Sequence, residues 1–332
     1  MQEIRDQYLL QTWKKETNLT NCPDDPAVQS GATDVFVPKP AETGTPASEP
    51  NKSEFTAATW NTENLIASGG RSSSPQAIKA KAEVLKKVNA DVVALQEVGD
   101  LKTLDQFRKE FIGEGVYPYR ILVQGNDSSI NVGLLSKFPI KKVYTYRDHV
   151  FPGAHGQPTK FSRDLLEAVV QITPQFPMKI FVCHLKSKRG GGDSDLKREA
   201  EAKEVKKIIS RHLEKDPDSL IAVAGDFNDF PDSPAVKIVE GGANPVLDPL
   251  TLENRKNQPT HHSVRYGDSR LDYLLLSPAL MKRYQAGSAE VKGKENPGAS
   301  DHDPLELRFK AFPAQKYFNQ PLSSSSSNVI NP

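Results

Sequence analysis

Cysteine is scarce in this sequence, which contains Cys22 and Cys183 as its two cysteines among 332 residues. Cys22 lies in a polar stretch and Cys183 in an apolar run, so we expect neither a structural disulfide nor a CxxC metal site. Long apolar runs are also lacking, which excludes a transmembrane helix. The first residues, MQEIRDQYLLQTWKKE, have no apolar signal-peptide core. We therefore expect a soluble protein, either cytoplasmic or secreted with a signal peptide that is absent from this chain.

An excess of charge of one sign is lacking as well. The chain has 43 basic and 42 acidic residues, a formal net charge of +1. This balance neither requires nor excludes a polyanionic partner, because local patches decide electrostatic steering. The hydrophobic fraction of 37% is sufficient for a core, and the length fits one large α/β domain or two small ones.

Composition divides the chain into three parts. Residues from about 21 to 53 are rich in Pro, Thr, Ser, Ala, Asp and Glu, which predicts a flexible linker. The C-terminal stretch PLSSSSSNVINP has the same character. We therefore predict an N-terminal extension over 1–53, flexible from about 21, a folded catalytic domain over 54–318 and a disordered tail over 319–332.

Short β-rich runs alternate with helical stretches within the folded part. The predicted strands are 55–61, 91–97, 131–137, 165–172, 178–185, 220–227, 270–277 and 304–310. The predicted helices are 75–89, 101–112 and 193–215, the last being a charged surface helix. Apolar runs without alternation, such as IAVAGD and FVCHL, indicate strands that are covered on both faces.

Polar side chains collect at the ends of these strands. They are Asn61, Glu97, His184, Asp226 with Asn228, Asp272, and the run Ser300, Asp301 and His302. A single strand-terminal Asp or Asn often only begins a turn, and a lone Glu or His usually lies on the surface without a role. Six such positions in one chain instead indicate a ligand crevice built from loops at sheet edges.

The order of these positions resembles the endonuclease/exonuclease/phosphatase superfamily, whose members include pancreatic deoxyribonuclease, abasic-site endonucleases, tyrosyl-DNA phosphodiesterases, sphingomyelinases and inositol phosphatases. The matching motifs are TWNTENL, LQEV, HLKS, GDFND, RLDYLLLS and SDHDPL, between about residues 55 and 309. The resemblance implies an α/β fold, a four-layer αββα sandwich of two mixed, mainly antiparallel sheets flanked by helices. It also implies a metal-dependent phosphoric ester hydrolase.

The resemblance assigns the metal to Glu97 as the direct carboxylate ligand. Asn61 is expected to support the metal or a phosphate oxygen, and Asp301 is a further ligand, with Glu63 a weaker candidate. The expected ion is Mg²⁺, a hard cation that prefers oxygen ligands, and Mn²⁺ is expected to substitute for it. The metal polarises the phosphate and stabilises charge on the leaving oxygen.

The resemblance assigns the chemical step to five other residues. Asp226 orients or deprotonates the attacking water, and Asn228 holds this water or a phosphoryl oxygen. His302, oriented by Asp272, stabilises the transition state, in the general manner of a carboxylate that fixes a histidine. His184 is expected to donate to a second phosphoryl oxygen.

Substrate contacts are expected from Arg163, Lys186, Ser187 and His262. Arg163 matches a family arginine near the phosphate, although a surface salt bridge is the alternative. Lys186, Ser187, Lys188 and Arg189 lie in HLKSKRGGG, a cationic loop that could contact phosphates or could simply be solvated. His261 and His262 precede the Asp272 strand and could line the substrate face.

Three functions remain open from the sequence. The leading interpretation is a nuclease for DNA or RNA, acting as a monomer without an obligate protein partner. A second is a phosphodiesterase or phosphatase for a lipid or small ester, such as sphingomyelin. This alternative would require an exposed apolar or aromatic hairpin at the membrane, and no such segment is evident in the sequence. A third, a non-catalytic binding module, is disfavoured because every expected site group is present.

Overall fold

The computed structural model describes residues 53–67, 72–127, 129–293 and 298–311, together with the backbone of 33–36. The strands are β1 Thr33–Phe36, β2 Glu54–Leu65, β3 Val92–Val98, β4 Tyr119–Val123, β5 Asn131–Ser136, β6 Ile140–Thr145, β7 Phe151–Pro152, β8 Pro158–Thr159, β9 Leu166–Thr173, β10 Phe176–His184, β11 Ile221–Asp226, β12 His261–Ser263, β13 Gly267–Ser269, β14 Asp272–Leu276, β15 Glu290–Val291 and β16 Leu305–Lys310. The α-helices are α1 Pro75–Val88, α2 Leu101–Phe107, α3 Gly192–Lys215, α4 Pro234–Glu240, α5 Pro249–Leu252 and α6 Pro278–Met281. A π-helical turn over Arg108–Ile112 continues α2, and Ala154–Gly156 forms a 3-10 turn.

Two large sheets form the centre of the fold. The first has seven strands in the order β1-β4-β5-β3-β2-β16-β15, and the second has five in the order β14-β11-β10-β9-β6. Each sheet is mixed, because β2 runs parallel to β3 and β10 runs parallel to β11, while the other described pairs are antiparallel.

Three apolar clusters separate four layers. One lies between the sheets and contains Phe55, Met178 and Leu274. A second packs α3 and α4 against the five-stranded sheet, and a third packs α1 and α2 against the seven-stranded sheet. The central strands are therefore buried on both faces, as their unalternating apolar runs predict. The αββα sandwich is confirmed.

Helix α1 shows how local sequence sets an element's limits. Ser74 accepts a hydrogen bond from the Ala77 amide, and Pro75 occupies the first turn. Asn89 ends the helix in the left-handed conformation, with its amide bonded to the Leu85 carbonyl. None of the helices in the described segments is both long and apolar enough to cross a bilayer.

All eight predicted strands and three predicted helices are present, with most ends within two residues of the prediction. Four strands of the two large sheets, β1, β4, β6 and β15, were not predicted. Within the predicted linker, the backbone of Thr33–Phe36 pairs antiparallel with β4 at the sheet edge. An exposed edge provides unpaired backbone groups that can order even a short segment. The predicted tail over 319–332 and the rest of the extension up to residue 52 lie outside the described residues.

Candidate active site

The register of the five-stranded sheet aligns three of the predicted residues. His184 at the end of β10 pairs with Asp226 at the end of β11, and Asp226 pairs with Asp272 at the start of β14. Directly opposed residues of neighbouring strands project from the same face of a sheet. The three side chains therefore form a row across the ends of these strands, on the face that is turned toward the other sheet.

The parallel pair β2 and β3 supplies the opposite wall. Its register is interrupted after Asn61 and around Glu97, where the strands bulge. Glu63, Asn64, Glu97 and Asn228 all have left-handed backbones, and they are four of the seven non-glycine residues with positive φ in the described part of the chain. Such conformations are costly, and they concentrate at sites where a side chain must be aimed.

A steric constraint also explains why residue 225, directly before Asp226, is a glycine. Its φ is +152°, and a Cβ atom there would lie 1.9 Å from the Cys183 carbonyl oxygen. The close approach of β10 and β11 therefore requires glycine immediately before Asp226.

Asp226 Oδ2 is the centre of the polar contacts. Asn61 Nδ2 donates to it at 3.0 Å and Asn228 Nδ2 at 3.2 Å. His184 Nε2 lies 3.5 Å away, and His302 Nε2 lies 3.9 Å away. Burial raises the pKa of Asp226 to about 7, which the nearby His302 partly opposes. Four side chains from both sheets thus converge on one carboxylate oxygen.

Asn61 spans the two sheets. Besides Asp226, its Nδ2 reaches Glu97 Oε1 at 3.4 Å, while its Oδ1 accepts the Glu63 amide at 3.0 Å. In this arrangement Asn61 offers its amide nitrogen to both carboxylates, and its oxygen is engaged by the backbone. Its side chain thus bridges the two carboxylates.

His302 and Asp272 form the expected pair. His302 Nδ1 lies 2.7 Å from Asp272 Oδ2, and Thr260 Oγ1 donates to the same oxygen at 2.7 Å. Burial alone would lower the pKa of His302, but the Asp272 charge and hydrogen bond, with Asp226, raise it to about 10. His302 is therefore an imidazolium at neutral pH. The Trp60 indole fixes its backbone by donating to the His302 carbonyl at 3.0 Å.

His184 has the opposite electrostatic character. Burial, followed by the positive charges of Arg163 and His302, holds its pKa well below the usual value. It is a neutral imidazole, which provides one N–H donor and one acceptor. Its Nε2 also lies 4.0 Å from Glu97 Oε1, so it faces both carboxylates of the pocket.

Three carboxylates gather on the β2–β3 side. Glu63 Oε2 accepts the Asp301 amide at 2.9 Å, and Glu97 Oε2 accepts the Asn64 amide at 3.1 Å. Burial and then the charges of Asp301 and Glu97 raise the pKa of Glu63. Carboxylate oxygens are the ligands that a hard divalent cation prefers, so Glu97, Asp301 and Glu63 remain candidates to hold the predicted ion.

Lys81 is a site neighbour that sequence reasoning missed. Its side chain is buried on α1, donates to the Ala299 carbonyl, and acts electrostatically on Glu63, Asp301 and Glu97. A signal existed, because Lys81 lies on the apolar stripe of α1 with Leu85 and Val88.

His261, rather than His262, faces the pocket. The ligand atoms of His261, Asp301 and His302 lie within 4.8 Å of one another and could hold an ion. His302 would first have to lose its proton, because an imidazolium has no free lone pair for a metal. His262 instead lies between Asp268 Oδ1 at 2.9 Å and Asp303 Oδ2 at 2.8 Å. This engagement does not support the predicted substrate contact of His262.

The cationic residues that were predicted to contact phosphate have different surroundings in the structure. Arg163 Nη1 donates to the Leu185 carbonyl at 3.3 Å, beside His184. Lys188 is bound to Asp229, with its ammonium 4.6 Å from the centre of the Phe230 ring. Lys186 and Ser187 lie in the same loop directly after β10. The loop therefore borders the pocket, with Lys188 already engaged by a carboxylate.

Comparison with known proteins agrees with this architecture. A family model described as "Endonuclease/Exonuclease/phosphatase family" matches residues 58–302. Sequence comparison with curated proteins gives no match.

Solved structures are similar in fold. Truncated TDP2 from Caenorhabditis elegans is 20% identical, with 78% of this chain and 98% of that chain covered and a TM-score of 0.54. The human Nocturnin catalytic domain with bound sulfate is 17% identical over 78% and 95%, with a TM-score of 0.58. Sphingomyelinase C from Streptomyces griseocarneus is 17% identical over 77% and 99%, with a TM-score of 0.53.

Proposed function

Because the chain belongs to the endonuclease/exonuclease/phosphatase family, we propose that it is a Mg²⁺-dependent phosphodiesterase that cuts DNA or RNA. Members of this family are phosphoester hydrolases and generally use divalent metals. The observation that carries the proposal is the convergence of Asn61, His184, Asn228 and His302 on Asp226 Oδ2, all within 4 Å. We propose that Glu97, Asp301 and Glu63 hold the ion, which Mn²⁺ can replace.

The side chains of the pocket have separate roles in the proposed hydrolysis of the phosphodiester. The bound cation would withdraw charge from the phosphate and the leaving oxygen. Asp226 accepts the proton of the attacking water, and a carboxylate whose pKa is near 7 suits a general base at neutral pH. Asn228, bonded to Asp226 and to the Leu185 carbonyl, holds the water in line.

Charge that develops on the phosphoryl oxygens is met by fixed donors. His302 offers an imidazolium N–H, which Asp272 orients through the opposite ring nitrogen. His184 offers a neutral N–H, and Arg163 lies beside it at the Leu185 carbonyl. Preorganised donors of this kind stabilise the transition state without reorganisation during the reaction.

An activity screen tests the proposal. Plasmid DNA, single-stranded oligonucleotides, RNA, sphingomyelin and bis(4-nitrophenyl) phosphate are incubated with the protein and Mg²⁺, with Asp226→Asn as the matched inactive control. Cleavage of nucleic acid by the wild type and not by the variant supports the proposal. Equal background rates for the two proteins on every substrate would instead indicate a binding module.

A lipid phosphodiester is the second candidate, and the β12–β13 hairpin favours it. Val264 and Tyr266 at its tip are among the most exposed large hydrophobic side chains, and His261 at its base touches the His302 ring at a centroid distance of 4.7 Å. This exposed hairpin was not evident in the sequence. The double variant Val264→Asp, Tyr266→Asp should abolish hydrolysis of sphingomyelin in vesicles if the hairpin enters a membrane. Unchanged vesicle hydrolysis would remove the reason for this candidate.

We further propose that the protein acts as a monomer, with nucleic acid as its binding partner and without an obligate protein partner. Light scattering after gel filtration should give the mass of one chain, both with and without Mg²⁺. A stable dimer mass would contradict this proposal.

A further inference from the structure

Three polar residues of α3 form a row on one face of the helix. Ser194, Arg198 and Glu201 are spaced four and three residues apart, which places them on one side of consecutive turns. All three are buried, although the sequence predicts a charged surface helix here. A buried carboxylate is costly unless its oxygens accept hydrogen bonds, so the partners of Glu201 explain its presence.

Each oxygen of Glu201 accepts one backbone amide from a different segment. Oε1 accepts from Ser162 at 2.7 Å, and Oε2 accepts from Lys186 at 2.7 Å. Ser162 directly precedes Arg163, and Lys186 directly follows Leu185 in the loop after His184. The two segments that carry the predicted phosphate contacts are thus joined through one carboxylate.

Arg198 and Ser194 also bond to the loop after His184, and Arg198 bonds to the segment after Asn228 as well. Arg198 Nη1 donates to the Lys186 carbonyl at 3.2 Å, and its Nε donates to Asp229 Oδ2 at 2.9 Å, one residue after Asn228. Ser194 Oγ donates to the Arg189 carbonyl at 2.7 Å. The row therefore contacts three of the loops that border the pocket, and Glu201 is the member that joins two of them.

We infer that Glu201 is a positioning residue, which holds Arg163 and the loop that begins at Lys186 in the geometry that binds a substrate phosphate. This inference rests on the proposed function, because it assigns phosphate binding to those two segments. Packing alone does not account for Glu201, since an apolar side chain would fill the same space without the cost of burying a charge.

The test compares Glu201→Gln with Glu204→Gln. Glutamine keeps one acceptor but turns an NH₂ group toward the second backbone amide, so one of the two segments loses its anchor. Glu204 is the matched control, because it is also buried on α3 but bonds to His149 and Lys207, away from the pocket. Both variants are compared by thermal unfolding, so that a general loss of stability is measured separately.

We expect Glu201→Gln to raise KM for bis(4-nitrophenyl) phosphate roughly tenfold with a much smaller change in kcat, the pattern of lost substrate binding. The dissociation constant of inorganic phosphate, measured by calorimetry with Mg²⁺ present, should rise by the same factor. The Mg²⁺ concentration for half-maximal activity should not change, since Glu201 does not contact Glu97, Asp301 or Glu63. Glu204→Gln should change these constants less than about twofold.

A double-mutant cycle identifies the route of the effect. Adding Glu201→Gln to Arg163→Ala should raise KM less than it does in the wild type, because part of its effect runs through Arg163. Equal kinetics for Glu201→Gln and Glu204→Gln, or fully additive losses in the cycle, would overturn the inference. If the wild type cleaves no phosphodiester, the proposed function fails and phosphate titration alone decides the inference. Absence of phosphate binding by the wild type would then overturn it as well.

Discussion

His302 Nδ1 and Asp272 Oδ2 are 2.7 Å apart, and Asp272 is completely buried. The carboxylate fixes the ring and its charge, so the pair should act as a unit. We expect His302→Ala to lower kcat by at least about a hundredfold, and Asp272→Asn to lower it less, because the imidazole remains in place. The double variant should be little worse than His302→Ala alone.

The measurement is kcat for the four proteins after each has been shown to fold. Thr260→Val is a useful companion, since Thr260 Oγ1 donates a hydrogen bond to the same Asp272 oxygen. Losses that multiply in the double variant would show that the two residues serve separate functions.

Activity should require a divalent metal ion that is held by the carboxylates on the β2–β3 side of the pocket. Chelation by EDTA should abolish activity, and Mg²⁺ or Mn²⁺ should restore it. Glu97→Gln should raise the Mg²⁺ concentration for half-maximal activity, because an amide attracts a divalent ion less than a carboxylate does. Metal titrations of both proteins provide the measurement, and full activity in the chelated wild type is incompatible with the proposed chemistry.

The cationic loop should affect long substrates more than small ones. Replacing Lys186, Lys188 and Arg189 with alanine should weaken binding of nucleic acid and reduce its salt dependence by about one unit of slope for each lost contact. Lys188→Ala should contribute least of the three, because Asp229 already neutralises this ammonium. Binding isotherms at several salt concentrations measure these slopes. A loss of equal size on bis(4-nitrophenyl) phosphate would show that the loop supports the catalytic centre instead.

Asp164 should give stability a distinctive pH dependence. Burial raises the pKa of Asp164 to about 7, although the Thr145 hydroxyl and the Tyr146 amide both donate to it. The ordinary pKa of an aspartate is 3.8, so the folded state binds an extra proton, relative to the unfolded chain, between about pH 4 and pH 7. Stability from this group is therefore present at low pH and lost as pH rises through that window.

Asp164→Asn should remove this dependence. The free energy of unfolding of the wild type, relative to the variant, should fall between about pH 4 and pH 7 by an amount on the order of a few kcal/mol. Urea unfolding at each pH gives the values. Parallel curves for the two proteins would mean that Asp164 is charged throughout this range.

Gly225 should not tolerate a side chain. Gly225→Ala would place its methyl carbon 1.9 Å from the Cys183 carbonyl oxygen, so β10 and β11 would have to separate. We expect a loss of at least about 3 kcal/mol or failure to fold. Gly115→Ala is the control, because nothing lies within 4 Å of the added carbon, and it should be nearly neutral. Similar melting temperatures for both variants would contradict the tight approach at Gly225.

The sequence could predict most residues of the candidate pocket because they lie at strand ends. His184, Asp226 and Asp272 follow or open apolar runs, and strand register then places them side by side. The fold class followed from the same runs and from the family motifs. Strands β4 and β6 were harder to predict, since YRILV and IKKVYT are short and mix charged with apolar residues.

Other features depend on contacts that no local pattern contains. Glu201 accepts hydrogen bonds from backbone amides 39 and 15 residues away. Nearly every residue has such an amide, so the sequence does not mark these two as partners. The choice between His261 and His262 depends on which side of a two-stranded hairpin faces His302, and adjacent residues of a strand face opposite sides.

The last strand, β16, completes the seven-stranded sheet by pairing with β2, and the Trp60 indole bonds the carbonyl of His302, 242 residues later. On the ribosome, the chain emerges from its N-terminal end, so β2 and β3 appear long before the segment that delivers Asp301 and His302. A nascent chain that stops before residue 301 lacks the His302 imidazolium and one of the three carboxylates proposed to hold the metal. The proposed hydrolytic site can therefore form only after both segments have been synthesised and β16 has paired with β2.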